Sequence, residues 1–146
     1  MPPEVVERFL RLPSSERALL VRSVLWLGAA RLALWVLPLK AARRLLSRAP
    51  APSAGAAPTP ERIAWGLAHA RRVVPGATCL PQALAAEALL IRAGLPVKLR
   101  IGVVKTDMGR LEAHAWVESG GRIVVGDLHE GHSRFTPLPP LPGAEV

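Results

Sequence analysis

The chain has 146 residues, half of them apolar, and a formal net charge of +8. This length and apolar content predict one folded domain of ordinary size with a real core, and they argue against a wholly disordered chain. A single cysteine excludes an internal disulfide, and the charged start of the chain lacks the apolar region of a secretory signal. We therefore expect a reduced, cytoplasmic protein.

The positive charge is concentrated in the N-terminal part. Residues 1–60 carry nine Lys/Arg against three Glu, whereas residues 61–146 carry ten Lys/Arg against eight Asp/Glu. Such an excess suits an acidic peptide, an anionic membrane surface or nucleic acid, and it also occurs as an ordinary soluble basic surface. No motif that reads nucleic acid accompanies it, so we predict no nucleic-acid partner.

The first predicted elements are helices. Pro38 is expected to divide residues 14–48 into helices at about 15–37 and 39–48, because proline breaks a helix interior. Arg31 interrupts the apolar stretch 24–39, which argues against a single membrane span. A helix buried against the protein or a partner, and a helix lying on a membrane surface, both stay open.

A Pro/Ala-rich linker at 49–60 is predicted to separate this basic helical section, residues 1–48, from a core at 61–146. The core is expected to begin with a helix to about residue 73 and a second helix that Thr78 caps and Gly94 ends. Alternation and turn signals then predict strands at 97–104, 111–119 and 122–127. Helices followed by an antiparallel sheet of at least three strands indicate an α+β fold.

Cys79 is predicted to lie in the first turn of the second core helix. A lone cysteine is more often a small buried hydrophobe. At a helix N-terminus, however, the macrodipole and the unpaired N–H groups stabilise a thiolate. The same donors, including the Cys79 backbone N–H, can stabilise an oxyanion.

The glycine hairpin predicts a partner for this thiol. If Gly120 and Gly121 form a two-residue turn, facing residues have numbers that sum to 241, so His114 stands opposite Asp127. Asp127 would then orient His114 as the general base and acid for the nucleophile Cys79. Trp116 shares their face, where we expect it to shield the pair from water and to contact substrate.

Other polar residues offer weaker alternatives. Asp107 is a second candidate carboxylate, but it lies in a predicted turn. His129 and His132 could form a metal site together with Asp127 and His114. The number of ligands and the position of the two histidines in a loop do not favour such a site. We predict neither a metal nor a cofactor.

The chain resembles the transglutaminase-like branch of the papain-type cysteine peptidases, and most closely the leader peptidases of lasso-peptide biosynthesis. The stretches that carry the resemblance are CLPQALAAEALLIRAGL, LRIGVV, EAHAWVESGGRIVVGD and RFTPLP, within about residues 60–140. The family's catalytic Cys, His and Asp correspond to Cys79, His114 and Asp127. Papain carries a glutamine before the cysteine, whereas Gln82 follows it here, so the oxyanion site is expected to be largely backbone.

The resemblance implies a cytoplasmic peptidase that removes the leader from a ribosomally made lasso precursor peptide. It also implies two partners, a separate leader-recognition protein acting in trans and an ATP-dependent cyclase. Peripheral contact with the inner face of the membrane through residues 14–48 is a further possible partnership. The alternatives are another transglutaminase-like amide hydrolase or acyltransferase, and a catalytically inactive scaffold tethered to a membrane.

Overall fold

The computed structural model describes residues 2–48 and 57–126 and the backbone of residues 136–137. Its helices are α1 (Pro3–Arg11), α2 (Ser14–Val36), α3 (Leu39–Arg48), α4 (Pro60–Ala70) and α5 (Cys79–Arg92). Its strands are β1 (Lys98–Lys105), β2 (Leu111–Ser119), β3 (Arg122–Val125) and the two-residue β4 (Thr136–Pro137). The strands form an antiparallel sheet in the order β3-β2-β1-β4. The predicted α+β class is confirmed.

Local sequence chemistry sets most of the helix ends. Pro38 separates α2 from α3 as predicted. Pro60 opens α4, and the hydroxyl of Thr59 accepts a hydrogen bond from the Arg62 N–H. Thr78 occupies the N-cap position of α5, but its side chain makes no capping hydrogen bond within the described residues, contrary to the expectation. Helix α1 was not predicted.

Helix α5 is the centre of the molecule. Residues 83–90 are all buried. Four of them are alanines and one is Glu87, and the neighbouring elements enclose all of these side chains. The helix contacts α2, α3 and α4 as well as β1, β2 and β3. Leu27 and Leu46 from the N-terminal helices share one hydrophobic core with Leu84, Leu99 and Val117. Burial of the basic helical section therefore stabilises the same core that carries Cys79.

Arg92, near the C-terminal end of α5, contacts the N-terminal helices. Its guanidinium carbon lies 3.8 Å from the centroid of the Trp26 ring, within range of a cation–π interaction. Nη1 donates to the Ala88 carbonyl and Nη2 to the Leu46 carbonyl. Burial, with a smaller contribution from the neighbouring Arg22 charge, lowers the pKa of Arg92.

Helix α2 is apolar on two sides. Within the described part of the chain it is long and apolar enough to cross a membrane, judged by length and composition. Its inner side, formed by Leu19, Leu27, Ala30 and Ala33, is buried, and the helix packs on α4 and α5. Several large apolar residues of the opposite side are exposed.

Candidate active site

Cys79 is the first residue of α5, the position that the sequence predicted. Its thiol is half-buried and packs against the hydrophobic core. The N–H groups of a first helical turn have no acceptor within the helix. The end of α5 therefore offers backbone donors and the positive end of a helix dipole beside the sulfur, an arrangement that stabilises a developing oxyanion.

The loop that leads into Cys79 is held from two sides. The Arg31 guanidinium on α2 lies against Gly76, where a Cβ would come within 2.5 Å of Nε, and Gly76 has a φ of 70°. The Gln82 side-chain amide donates to the Ala77 carbonyl at 2.7 Å. Gln82 therefore secures the loop with one of its two donors. Sequence reasoning missed Arg31 because nothing local links residue 31 to residue 76.

His114 is buried in β2, where it pairs with Gly102 of β1. Its Nε2 forms a short hydrogen bond with the Gly126 carbonyl. Because a carbonyl only accepts, Nε2 must carry the proton, and in the neutral ring Nδ1 then holds the lone pair. A backbone group thus selects the tautomer in which Nδ1 is the basic nitrogen.

Gly126 can present this carbonyl because it is glycine. Its φ is 93°, and a Cβ would lie 2.7 Å from the Ala115 carbonyl oxygen and 2.8 Å from the Trp116 Cβ. A side chain at residue 126 would therefore push its backbone away from β2. A glycine inside the strand-like stretch RIVVGD was the available signal, since such a residue often marks a bulge or a close backbone approach.

Trp116 lies beside the histidine. The two rings are nearly parallel, with centroids 6.1 Å apart, and the indole N–H donates to Glu118 at 3.0 Å. Trp116 is only 2% exposed. Its ring therefore forms part of the buried surroundings of His114, and its contact with substrate stays a prediction.

Successive side chains of β2 lie on opposite sides of the sheet. Ala115 and Val117 belong to the hydrophobic core that α5 helps to form. Since successive side chains alternate, His114 and Trp116 project from the other side of β2. Among the described residues, no hydrogen bond joins the Cys79 thiol to the His114 ring.

The hairpin confirms one part of the predicted register and corrects another. Gly120 and Gly121 form the two-residue turn, with φ of 59° and 80°, and Ser119 faces Arg122 as expected. A bulge between Val117 and Glu118 then shifts the register, so that Val117 faces Val125. The constant sum of 241 is therefore wrong beyond Glu118, because a bulge places one extra residue on one strand.

Asp127 lies outside the described residues, as do His129 and His132. The proposed contact between Asp127 and His114 therefore stays a prediction. What the structure does place against the ring is the residue before it, Gly126. Asp107, the other candidate carboxylate, is exposed in the turn between β1 and β2.

Comparison with known families extends over most of the chain. The model of the transglutaminase-like superfamily matches residues 24–139, which is 116 of the 146 residues. The match begins inside α2 and so includes part of the basic helical section. No match was found among curated proteins or among solved structures.

Proposed function

Because this chain belongs to the transglutaminase-like superfamily, we propose that it is a cysteine peptidase that removes the leader from a ribosomally made lasso precursor peptide. The observation that carries the proposal is the placement of Cys79 at the N-terminus of α5, together with a buried His114 whose Nε2 is bonded to the Gly126 carbonyl. These features supply a nucleophile with nearby oxyanion donors and a base of defined tautomer.

In the proposed reaction the Cys79 sulfur attacks the carbonyl carbon of the scissile peptide bond, and His114 Nδ1 takes the thiol proton. The Cys79 backbone N–H donates to the oxyanion. His114 returns the proton to the leaving amine as the C–N bond breaks, so the core peptide leaves and the leader remains as a thioester. A water molecule, deprotonated by His114, then hydrolyses the thioester and restores the thiol.

The reaction requires the thiol and the ring to come within hydrogen-bond distance. Because His114 projects from the side of β2 opposite the core that α5 helps to form, the encounter requires the ring or the N-terminus of α5 to move when substrate binds, and not only the tightening of a long hydrogen bond. We assign Asp127 the role of holding the His114 ring by sharing the Nε2 proton that the adjacent Gly126 carbonyl accepts, which leaves Nδ1 for the thiol. Two groups that orient one imidazole would keep Nδ1 directed toward the substrate.

The lasso role rests on the HAWVE and CLPQALAAEALLIRAGL stretches and their resemblance to leader peptidases. We propose that a separate recognition protein delivers the leader and that a cyclase consumes the freed amine. The excess of basic residues in the first 60 residues suits an acidic peptide or partner.

The test is mass spectrometry of the cognate precursor after incubation with its recognition protein and this chain. We expect the wild type to release the leader, and Cys79→Ala to release none. His114→Gln should retain the fold and lose about a hundredfold or more of the rate. Leader release by Cys79→Ala, or none by the wild type, would refute the peptidase and favour an inactive scaffold.

A second candidate follows from the same superfamily, which includes acyltransferases. The thioester would be identical, and only the acceptor would differ. Adding a small primary amine to the reaction distinguishes the two. A leader that carries the amine at its new C-terminus, in preference to the free acid, would identify an acyltransferase.

A further inference from the structure

Helix α2 exposes an apolar stripe on the side opposite its buried residues. The members protrude strongly, with exposed fractions of 46% for Val21, 65% for Leu25, 58% for Leu32, 76% for Trp35 and 62% for Val36. We call these five residues the α2 stripe. Their spacing of three, four and seven residues keeps them on one face of the helix.

The fold does not require this stripe. The packing of α2 on α4 and α5 uses the other side of the helix. Gly28 lies in the middle of the exposed side, where a Cβ would meet no heavy atom within 4 Å among the described residues. A contiguous exposed apolar surface of this kind is typical of an interaction site.

The surroundings of the stripe are strongly basic. Residues 17–60 contain seven Lys/Arg and neither Asp nor Glu, although Arg43 is buried in an ion pair with Glu87 and the Arg31 guanidinium lies against Gly76. Glu16, the last acid before this segment, is paired with Arg62 at 2.9 Å. Arg22 and Arg31 lie along the same helix as the stripe, and the exposed Lys40 and Arg44 follow on α3.

We propose that the α2 stripe inserts into the interfacial region of an anionic lipid membrane, with the surrounding Arg and Lys side chains at the headgroups. A helix held to the protein along one side can lie in the membrane plane but cannot cross it without leaving the core. An exposed tryptophan at the end of an apolar face suits the boundary between water and acyl chains. This proposal goes beyond the proposed peptidase and does not depend on it.

Two other occupants fit less well. A second copy of the chain would bring Arg22 and Arg31 of both copies to one interface, where residues 17–60 supply no acidic side chain to pair with them. An acidic amphipathic helix of another protein would satisfy the charge. The protruding, convex stripe, however, matches a lipid surface that yields to it, whereas a rigid helix partner needs a complementary groove.

The experiment is cosedimentation of the full chain with vesicles of phosphatidylcholine, with and without phosphatidylglycerol. We expect binding to the anionic vesicles that weakens as salt is raised. The double variant Leu25→Gln/Leu32→Gln keeps good helix formers at exposed positions and should lower the partition coefficient at least about tenfold. Leu111→Gln, at a 76% exposed leucine in β2, is the matched control and should bind as the wild type does.

Tryptophan fluorescence supplies a second readout. Vesicles should shift the emission of the wild type to shorter wavelength, and Trp35→Phe should lose most of that shift. Failure to bind anionic vesicles, or equal binding by the double variant, would overturn the proposal. A dimer in solution that dissociates in the double variant, without vesicle binding, would assign the stripe to self-association instead.

Discussion

Arg43 on α3 and Glu87 on α5 form a buried ion pair. Arg43 Nε donates to both carboxylate oxygens at 2.9 and 3.0 Å, and Nη2 donates to one of them at 2.6 Å. Both side chains are less than 10% exposed. Because Glu87 lies on the helix that begins with Cys79, the pair links the basic helical section to the candidate nucleophile.

Removal of one partner of this pair should destabilise the fold strongly. Glu87→Leu removes the carboxylate that accepts three hydrogen bonds from the buried Arg43 guanidinium, and we expect the free energy of unfolding to fall by about 3 kcal/mol or more. Replacing both Arg43 and Glu87 with methionine should lower the free energy of unfolding by less than Glu87→Leu alone does. Urea denaturation measures each value. Arg122→Gln is the control, since it breaks an exposed pair with Glu61 and should cost under about 1 kcal/mol. Equal costs for Glu87→Leu and Arg122→Gln would contradict the buried role.

Gly126→Ala should impair both stability and catalysis. The new Cβ would collide with the Ala115 carbonyl and with Trp116, in addition to the unfavourable positive φ, so we expect a loss of about 3 kcal/mol or more. The carbonyl that contacts His114 would move with it, and leader release should slow. Gly109→Ala isolates the backbone effect, because Gly109 has a φ of 77° with open space at its Cβ among the described residues. It should cost only about 1 kcal/mol and leave the rate unchanged. If Gly126→Ala released leader as fast as Gly109→Ala does, the Gly126 carbonyl would have no part in the function of His114.

Gln82→Met tests the loop that precedes the nucleophile. Methionine has a similar shape but cannot donate to the Ala77 carbonyl, so we expect a stability loss of about 1 kcal/mol. The rate of iodoacetamide labelling of Cys79 and the rate of leader release should both change. Thr78→Val is the matched neighbour, since the Thr78 side chain makes no capping hydrogen bond within the described residues. If Thr78→Val changed the labelling rate of Cys79 more than Gln82→Met does, the hydrogen bond from Gln82 would not be what positions the loop.

The parts of the fold that follow from local chemistry were predictable from the sequence. Pro38 lacks the N–H that a continuous helix needs, and the chain breaks there into α2 and α3. Gly94 adopts a φ of 71° after α5, and Gly120 and Gly121 form the hairpin turn. The position of Cys79 at the start of α5 followed from the same kind of signal.

Relationships between distant residues were not predictable in this way. The Arg43–Glu87 pair joins residues 44 apart, and the contact of Arg31 with Gly76 spans a similar separation. The bulge beside Val117 depends on how β3 twists against β2, which alternation of apolar residues does not report. For that reason the hairpin arithmetic assigned too simple a register, and the residue after β3 that contacts His114 in the structure is Gly126. The role of His114 as a site residue stays a prediction.

Gly102 of β1 faces His114 on one side and Pro137 of β4 on the other. The backbone of β4 thus covers the edge of β1 at Gly102, the residue that also pairs with His114. A protein shortened before residue 136 would expose the β1 edge there. Such an unprotected edge invites strand pairing with other molecules, so recombinant versions that end early risk aggregating through the row that carries His114.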